Sequence, residues 1–387
     1  MQYFTAGESH GSALTAIVTG VPAGLTLTEE AINADLARRR SGFGRSVRQR
    51  LEGDEVLITG GVHFGRTTGA PVSLMIRNAV AEEHAADMAP AGNPPAGYER
   101  SFVPRPGHAD LAGVQKYGFG DCRDVAERAS ARETAARVAA AGIAWEFLAE
   151  LDVDLFSLVC GIGGVEMSLD VNDMLSFSKL DIETSELRCP DAAVTAAMAE
   201  RIRAAAEAGT SVGGTFCVVA SGLVPGLGGY ASGSERLTSR LGAAVLSVPS
   251  VKGVEFGLGF EAARRDGRDA LDEILLSPAG FSRATNFAGG LEGGMTTGEP
   301  LILRAAVKPI PTQAAPLVSV NLDTLEPAPA PAPRADVCAV PAAAVVAEAE
   351  VAFVLAQAYL EKFGADAMAD IKAAVRQYRQ RLRLMTR

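Results

Sequence analysis

Strand-like segments occur in groups along this chain and do not alternate one by one with helix-like segments. They are short, β-branched or apolar, and bounded by Gly, Pro or Asp, as expected of strands in a globular protein. The predicted strands are residues 12–20, 55–60, 70–76, 153–160, 214–221 and 300–307. Because a doubly wound parallel sheet needs strands and helices in alternation, this order favours an α+β fold.

Capping residues mark the predicted helices. Residues 28–40 begin with the N-cap Thr28, carry acids in the first turn and arginines in the last, and are followed by Gly42. The other predicted helices are residues 124–149, 192–208, 234–247 and 341–363. Two further segments are predicted to be irregular: a long loop at residues 81–106, and a short stiff connector rich in Pro and Ala at residues 328–333.

The composition argues against several classes of function. The net charge of -10 disfavours non-specific nucleic-acid binding, which needs a broad basic face. The five cysteines are scattered without a C-x-x-C pair, so they are predicted to be buried, with neither a zinc site nor a disulfide framework. No leader is evident, and no uncharged apolar run approaches the roughly 18 residues that span a bilayer. We therefore expect a reduced, cytoplasmic protein with no metal and no membrane partner.

Residues 7–11 read GESHG and match the G-x-S-x-G pattern of a hydrolase nucleophile elbow. In that elbow the serine follows a central strand, and a loop on an earlier strand supplies an oxyanion donor. Only six residues precede Gly7, so a serine hydrolase with Ser9 as its nucleophile is the weakest of our hypotheses. A purely structural turn would explain the glycines but not the histidine, which is one of only four in the chain.

Two histidines, His10 and His108, stand beside glycine or proline on predicted loops. An imidazole on a tight loop can give or take a proton near neutral pH, so both are candidate acid–base residues. A single histidine on a loop more often has no catalytic role. Two histidines on such loops strengthen the hypothesis of acid–base catalysis only modestly. His63 and His84 have ordinary neighbours and are assigned to a strand edge and a loop.

An arginine cluster occupies residues 38–50, RRRSGFGRSVRQR, with six arginines and no acid. The helix macrodipole accounts for Arg38–Arg40 at a helix end, but it does not account for Arg45 and Arg48 beyond the glycines. Guanidinium groups bind phosphate and carboxylate in a bidentate way and keep their charge. Because this cluster opposes the charge of the whole chain, it indicates a small substrate with several negative charges.

Residues 127–139, ERASARETAARVA, carry a second set of charges. Arg128 and Arg132 are four residues apart and are therefore predicted to share one face of a helix. The alternative is a solvated face on which they pair with Glu127 and Glu133.

Two glycine-rich segments and two short turns complete the candidate features. The glycines of residues 286–300 allow the backbone to approach a flat or phosphorylated ligand closely. Residues 308–312 (KPIPT) and 334–337 (RADV) add a lysine, a threonine, an arginine and an aspartate on proline-bounded turns. The glycines of residues 224–234 are weak evidence of phosphate binding and are predicted to form a loop before a helix.

Together these motifs resemble those of the chorismate synthase family. The motifs that carry the resemblance, in the family's order, are GESHG, RRRSGFGR, RPGHADL, ERASARETAARVA, VKGVEFG, GGLEGGMTTGEP, KPIPT and RADVCAVP. The match runs from Gly7 to Pro341, which makes the hydrolase pattern an accident of a short motif. The resemblance implies one domain over residues 1–387, an α+β fold with a β-α-β sandwich of antiparallel sheets between helical layers, and a homo-oligomer, usually a tetramer.

The resemblance also implies a reaction of the shikimate pathway. Members of the family convert 5-enolpyruvylshikimate 3-phosphate to chorismate and phosphate by a 1,4-elimination that requires reduced FMN. By analogy, His10 protonates the departing phosphate, His108 protonates or polarises the reduced flavin, and Asp336 helps the flavin N5 take the substrate proton. The sequence has no NADPH-binding fingerprint, so an external flavin reductant is expected, and direct NADPH binding is left open.

Binding residues follow from the same resemblance. Positions that match substrate-binding residues are Arg39, Arg45, Arg48, Arg105, Arg132 and Arg334. Positions that match FMN-contacting residues are Arg128, Ala129, Ser130, Pro249, Ser250, Gly293, Lys308, Pro309, Ile310, Pro311, Thr312 and Arg334.

The chain departs from the family pattern in three places. Pro249-Ser250 replaces a common Asn-Ala pair, so flavin contacts there are expected from the backbone alone. Ala129 replaces a common serine and removes one hydroxyl, and KPIPT has a proline where a hydroxyl residue is frequent. A different phosphate-eliminating or flavin enzyme on the same scaffold, and a flavin- or phosphometabolite-binding sensor, remain the alternative hypotheses.

Overall fold

The computed structural model describes residues 1–45, 53–278, 280–332 and 336–385. The strands are β1 (Gln2–Ala6), β2 (Ala13–Thr19), β3 (Val56–Gly60), β4 (Val62–His63), β5 (Arg66–Thr67), β6 (Val72–Arg77), β7 (Asp154–Ile162), β8 (Val165–Glu166), β9 (Gly214–Ser221), β10 (Val251–Phe256), β11 (Ile274–Ser277), β12 (Gly280–Arg283), β13 (Leu291–Glu292), β14 (Met295–Thr296), β15 (Leu301–Val307), β16 (Val318–Val320) and β17 (Pro327–Pro329). The helices are α1 (Glu29–Arg40), α2 (Ala81–His84), α3 (Asp110–Tyr117), α4 (Arg123–Ala129), α5 (Thr134–Ala149), α6 (Lys179–Thr184), α7 (Ala192–Glu207), α8 (Leu237–Leu246), α9 (Gly267–Ala270), α10 (Val340–Phe363) and α11 (Met368–Leu384).

The larger strands form two antiparallel sheets. One sheet has the order β1-β2-β6-β3, and the other has the order β10-β15-β9-β7-β8. In the first, Ala13 pairs with Arg77; in the second, Leu301 pairs with Ala220. The six predicted strands are all present, whereas β1 and β10, which are edge strands of the two sheets, escaped prediction. The α+β class expected from the grouping of strands is confirmed.

Helices separate the two sheets. α5 packs on β2 and β6 of the first sheet, and α1 packs on α5 and β3. On the other side, α10 packs on α5, β7 and β9, and α8 packs on β10. α7 also contacts β7, whose residues 155–162 are buried on both faces, so the five-stranded sheet lies between helices. The first sheet instead exposes Phe4, Ile17 and Leu57 on its outer face.

The long helix α10 lies at the centre of this arrangement. It is long and apolar enough to cross a membrane, but its apolar window is 94% buried within the protein. A helix that is apolar on all sides packs against neighbours on all sides, which explains this composition without a bilayer. One of its two buried acids, Glu348, is bound by Arg38 of α1 at 2.8 Å, so this buried charge joins two helices of the central layer.

The prediction of one continuous helix over residues 124–149 is wrong, because the helix is interrupted at Ser130. This residue is extended (φ -61°, ψ 142°), and its hydroxyl accepts a hydrogen bond from the backbone N–H of Arg132. Serine competes with helical hydrogen bonding and favours a cap, which starts a 3₁₀ turn at residues 131–133 before α5. Arg128 and Arg132 therefore do not share a helical face, contrary to the prediction from their spacing.

Other predictions concern loops and cysteines. The loop at 81–106 begins with the short α2 and is otherwise irregular. The segment at 328–333 begins as strand β17, which pairs with β16, so its first residues belong to a hairpin and not to a free connector. Residues 224–234 form a loop before α8, and all five cysteines are buried, as predicted.

Two helix-interior glycines provide a test of the central packing. A Cβ on Gly142 of α5 would lie 2.9 Å from Cγ1 of Ile32 on α1, whereas a Cβ on Gly242 of α8 would have nothing within 4 Å. We expect Gly142→Ala to lower the free energy of unfolding by about 1–3 kcal/mol through overpacking. Gly242→Ala should raise it by roughly 0.5–1 kcal/mol, because alanine is the better helix former. Urea unfolding measures both, and equal effects of the two variants would contradict this packing.

Candidate active site

A buried carboxylate joins two predicted substrate-binding arginines. Asp54, just before β3, accepts from Arg39 through Oδ2 at 3.3 Å and from Arg132 through Oδ1. Arg39 lies at the end of α1, and Arg132 lies in the 3₁₀ turn after the break at Ser130. All three charged residues are at most 4% exposed, so water contributes little to their solvation.

The turn between α4 and α5 also holds Arg39. Its Nε donates to Oγ1 of Thr134 at 2.9 Å, and a terminal nitrogen donates to the carbonyl of Ala131 at 3.0 Å. Burial lowers the pKa of Arg39 to about 10; nearby Arg45 and Arg132 act in the same direction, and Asp54 opposes them. The guanidinium therefore remains charged at neutral pH.

Asn78 connects Arg132 to the loop that carries His10. Nε of Arg132 donates to Oδ1 of Asn78 at 2.9 Å, and Nδ2 of Asn78 donates to the carbonyl of Gly11 at 2.7 Å. The loop itself needs Gly7, because its φ is +109° and a Cβ would lie 2.4 Å from the carbonyl oxygen of Ala13. The loop turns tightly between β1 and β2 and is tied to a buried arginine.

Arg45 and Asp336 form a further ion pair at 2.8 Å, with side chains only 7% and 13% exposed. Nε of Arg45 is buried and makes no hydrogen bond within the described part of the chain. The cluster of Arg39, Arg45, Arg132, Asp54 and Asp336 therefore holds more cations than carboxylates, as an anion site requires. Arg48 and Arg334, two other predicted substrate-binding residues, lie outside the described residues.

His10 is held by a carboxylate from α4. Its Nδ1 lies 2.7 Å from Oε1 of Glu127, and its backbone N–H donates to Oε2 of the same residue at 2.9 Å. The ring of His84 lies against the ring of His10, with 4.4 Å between centroids. The prediction that His84 lies in a loop is wrong, because His84 is the last residue of the short helix α2. The alternative of a solvated face is confirmed in part, because the partly exposed Arg128 lies 3.9 Å from Glu133.

Ser9 lacks the surroundings of a hydrolase nucleophile. It is 4% exposed, and its hydroxyl accepts a hydrogen bond from Ser130 at 3.2 Å. The loop of Ser9 joins two antiparallel strands, whereas a nucleophile elbow joins a strand to a helix.

His108 has an arrangement like that of His10. Its Nδ1 lies 2.5 Å from Oδ1 of Asp110, which begins α3 and is 1% exposed. Arg105 donates to the same carboxylate from Nε at 2.8 Å and from its backbone N–H at 3.0 Å. Burial alone would raise the pKa of Asp110, but the hydrogen bonds from His108 and Arg105 hold it well below its usual value.

Lys308 brings the end of β15 to the loop of His108. Its Nζ donates to the carbonyl of Gly107 at 3.0 Å, and its backbone N–H donates to Ser250 at 2.9 Å. Ser250 has a φ of +71°, so the backbone turns sharply at this predicted flavin-contacting position. Burial, together with Lys252, lowers the pKa of Lys308.

The remaining predicted flavin positions have varied surroundings. Arg128 donates to the carbonyl of Thr5 at 3.0 Å, so its guanidinium is bound to the backbone of β1. Ala129 ends α4 next to Ser130. Gly293, with a φ of +60°, lies exposed in the turn between β13 and β14. Ile310 accepts a hydrogen bond from Ser211 at 2.7 Å; Pro249, Pro309, Pro311 and Thr312 flank these residues in sequence.

The structure thus groups the predicted residues around two centres. Arg39, Arg45, Arg132 and Asp336 surround the first, which Asn78 connects to the His10 loop. Arg105, His108 and Lys308 surround the second. Sequence reasoning missed the residues that hold these side chains: Asp54, Asn78, Asp110, Glu127 and Thr134. For Asp110 a signal existed, since it lies two residues after His108; the others are distant in sequence from their partners.

Comparisons with known proteins agree on one family. A family model described as chorismate synthase matches residues 1–360. The chorismate synthase of Rubrobacter xylanophilus is 51% identical over 387 residues, covering 100% of this chain and 98% of the relative. That of Desulforudis audaxviator is 47% identical over 384 residues, covering 99% and 98%. A solved crystal structure of a chorismate synthase matches with a TM-score of 0.80 at 38% identity, covering 99% of this chain and 98% of that chain.

Removal of the shared carboxylate tests the first centre. Asp54→Asn leaves two buried guanidinium groups with no anion between them, so we expect a loss of about 3–5 kcal/mol in the free energy of unfolding. Its exposed neighbour provides the control, and Glu55→Gln should change stability by no more than about 0.5 kcal/mol. Urea unfolding at neutral pH measures both, and similar midpoints for the two variants would show that Asp54 does not hold the cluster.

The carboxylate of Asp110 at the second centre should make the stability of the protein depend on pH. Because the pKa of Asp110 is lower in the folded protein than in the unfolded chain, its contribution is complete above about pH 4 and is lost as the pH falls through the folded value. We expect Asp110→Asn to be less stable than wild type by roughly 1–3 kcal/mol at pH 7. The difference should shrink below about pH 4.

The measurement is the urea midpoint of both proteins between pH 7 and pH 3. The control is Asp370→Asn, at an exposed position in the first turn of α11. A difference for Asp110→Asn that stays constant over this range would contradict the assignment.

Proposed function

The chain belongs to the chorismate synthase family, whose members are lyases of the shikimate pathway, and we propose that it converts 5-enolpyruvylshikimate 3-phosphate to chorismate and phosphate with reduced FMN. The observation that carries this proposal is the buried arginine cluster next to the His10 loop in a chain of net charge -10. The substrate has a phosphate and two carboxylates, which are the groups that guanidinium binds best.

The arginines would neutralise charge where the leaving group departs. Loss of phosphate places negative charge on the departing oxygen, and fixed cations in a buried site stabilise that charge strongly. Asp54, Thr134 and Asn78 hold two of these cations in place before substrate binds. We propose that the substrate is held by Arg39, Arg45, Arg48, Arg105, Arg132 and Arg334.

Three residues would handle protons. His10 donates a proton to the departing phosphate. The arginines that bind this phosphate favour its release as the dianion. His108, held at Nδ1 by Asp110, would offer Nε2 to protonate or polarise the reduced flavin. Asp336, paired with Arg45, would assist removal of the substrate proton.

Residues that would hold FMN fit such a ligand in two respects. The exposed turn at Gly293 has a positive φ and no side chain, which allows the backbone to approach a ligand closely, and Lys308 presents a cation beside the His108 loop. Arg128, Ala129 and Ser130 would add contacts from the end of α4, with residues 249–250 and 309–312 contributing backbone groups. When bound, reduced FMN supplies electron density that stabilises electron deficiency in the substrate as the carbon–oxygen bond breaks.

We further propose a cytoplasmic homotetramer of single-domain subunits whose flavin is reduced by a separate system. The exposed apolar side chains of Phe4 and Ile17, which are cross-strand partners, and of Leu57 on the same sheet support an assembly, because exposed apolar surface often marks subunit contacts.

An anaerobic assay tests the proposed reaction. Purified protein, FMN, dithionite and 5-enolpyruvylshikimate 3-phosphate should release phosphate and produce chorismate absorbance together. Phosphate release without chorismate would point to a different elimination on this scaffold, and no turnover would contradict the proposal.

A variant separates catalysis from cofactor binding. We expect His108→Ala to lower kcat by roughly a hundredfold or more, because it removes an acid–base group, with little change in the Kd of reduced FMN. His63→Ala, at an exposed position on β4, is the matched control and should retain wild-type kcat. Equal kcat values for the two variants would remove His108 from the mechanism.

A further inference from the structure

One residue of α4 makes three hydrogen-bonded contacts with two successive residues of the loop between β1 and β2. Oε1 of Glu127 lies 2.7 Å from Nδ1 of His10, and Oε2 accepts the backbone N–H of His10 at 2.9 Å. The backbone carbonyl of Glu127 accepts the N–H of Ser9 at 3.0 Å. The Glu127 side chain is 11% exposed and that of His10 is 28% exposed, so the pair is largely shielded from water.

This geometry determines where the imidazole carries its proton. A backbone N–H can only donate, so Oε2 of Glu127 acts as an acceptor. A carboxylate has no proton to offer from Oε1, so Nδ1 must be the donor, in the neutral ring as well as in the cation. The Nε2 edge then points away from Glu127. Among the described residues, the ring of His84 on α2 also lies against this ring, with centroids 4.4 Å apart and the planes tilted by 59°.

We propose that Glu127 is a positioning residue that keeps His10 in the Nδ1–H tautomer and thereby makes Nε2 the atom that gives a proton to the departing phosphate. The proposal rests on the proposed function, in which His10 is that acid. As the carbon–oxygen bond breaks, its electron pair stays with the phosphate oxygen, which takes the Nε2 proton of the imidazolium. The neutral ring that remains has its proton on Nδ1, which is the tautomer that Glu127 already holds. Solvent can therefore return a proton to Nε2 without any rotation of the ring.

The substitution Glu127→Gln tests this tautomer directly. The His10 backbone N–H still needs an oxygen, so the single amide oxygen turns toward it and the NH₂ group faces Nδ1. An NH₂ group donates and needs an unprotonated Nδ1 as its acceptor, so the neutral ring should change to the Nε2–H tautomer. The same NH₂ group repels the imidazolium, whose Nδ1 also donates.

The first readout is ¹⁵N NMR of protein labelled at histidine, without FMN, at a pH high enough for neutral imidazoles. The resonance of His10 is identified by its loss in His10→Gln. We expect wild type to show a protonated Nδ1, and Glu127→Gln to show a protonated Nε2. Asp124→Asn removes a carboxylate from an exposed position on the same helix and should keep the wild-type tautomer.

The second readout is steady-state turnover with reduced FMN and substrate. Glu127→Gln should lower kcat by about 10- to 100-fold, because it removes the carboxylate that orients His10. KM should change less than about threefold. Glu127→Asp keeps two acceptor oxygens on a shorter stem, so it should retain the tautomer with an intermediate kcat. This variant also provides the test if Glu127→Gln does not fold.

These outcomes separate the inference from the proposed function. Wild-type tautomer and wild-type kcat in Glu127→Gln would overturn the role of Glu127. If wild type shows the Nδ1–H tautomer but produces no chorismate, the proposed reaction fails, and the pairing of Glu127 with His10 stands.

Discussion

A carboxylate buried between two guanidinium groups is the interaction on which the candidate site depends. Asp54 gives one oxygen to Arg39 and the other to Arg132, and none of the three side chains is appreciably exposed. Burial of such charges is unfavourable unless each has a partner in good geometry. The first sheet, α1 and the turn before α5 must therefore come together correctly, because each supplies one member of the group or its hydrogen-bond partners.

The interruption of the helix at Ser130 allows Arg132 to reach Asp54. A continuous helix over residues 124–149 would carry Arg128 and Arg132 on one face. The extended residue instead directs Arg128 to the backbone of β1 and Arg132 to Asp54 and Asn78. It also leaves Glu127 at the end of α4, beside His10. One local departure from helical geometry thus serves the anion site and the histidine loop together.

Local signals in the sequence predicted much of the fold and part of the site. The ends of α1 follow from its N-cap and charges, and the two loop histidines stand out because histidine is scarce and their neighbours are glycine or proline. The order of motifs led to the correct family. The partners of these residues could not be predicted, because contact between them depends on the tertiary fold. His10 and Glu127 are 117 positions apart, and Arg132 and Asp54 are 78 apart.

We propose that the buried arginines and both histidines, which lie at two centres in this structure, serve one ligand-filled cavity. A crystal structure of the protein prepared without oxygen, with FMN and the phosphorylated substrate bound, tests it most directly. The account predicts the phosphate in contact with the arginine cluster and about 2.6–3.2 Å from Nε2 of His10, with His108 lining the same cavity on the flavin side. A phosphate bound elsewhere, or the two histidines in separate cavities, would contradict it.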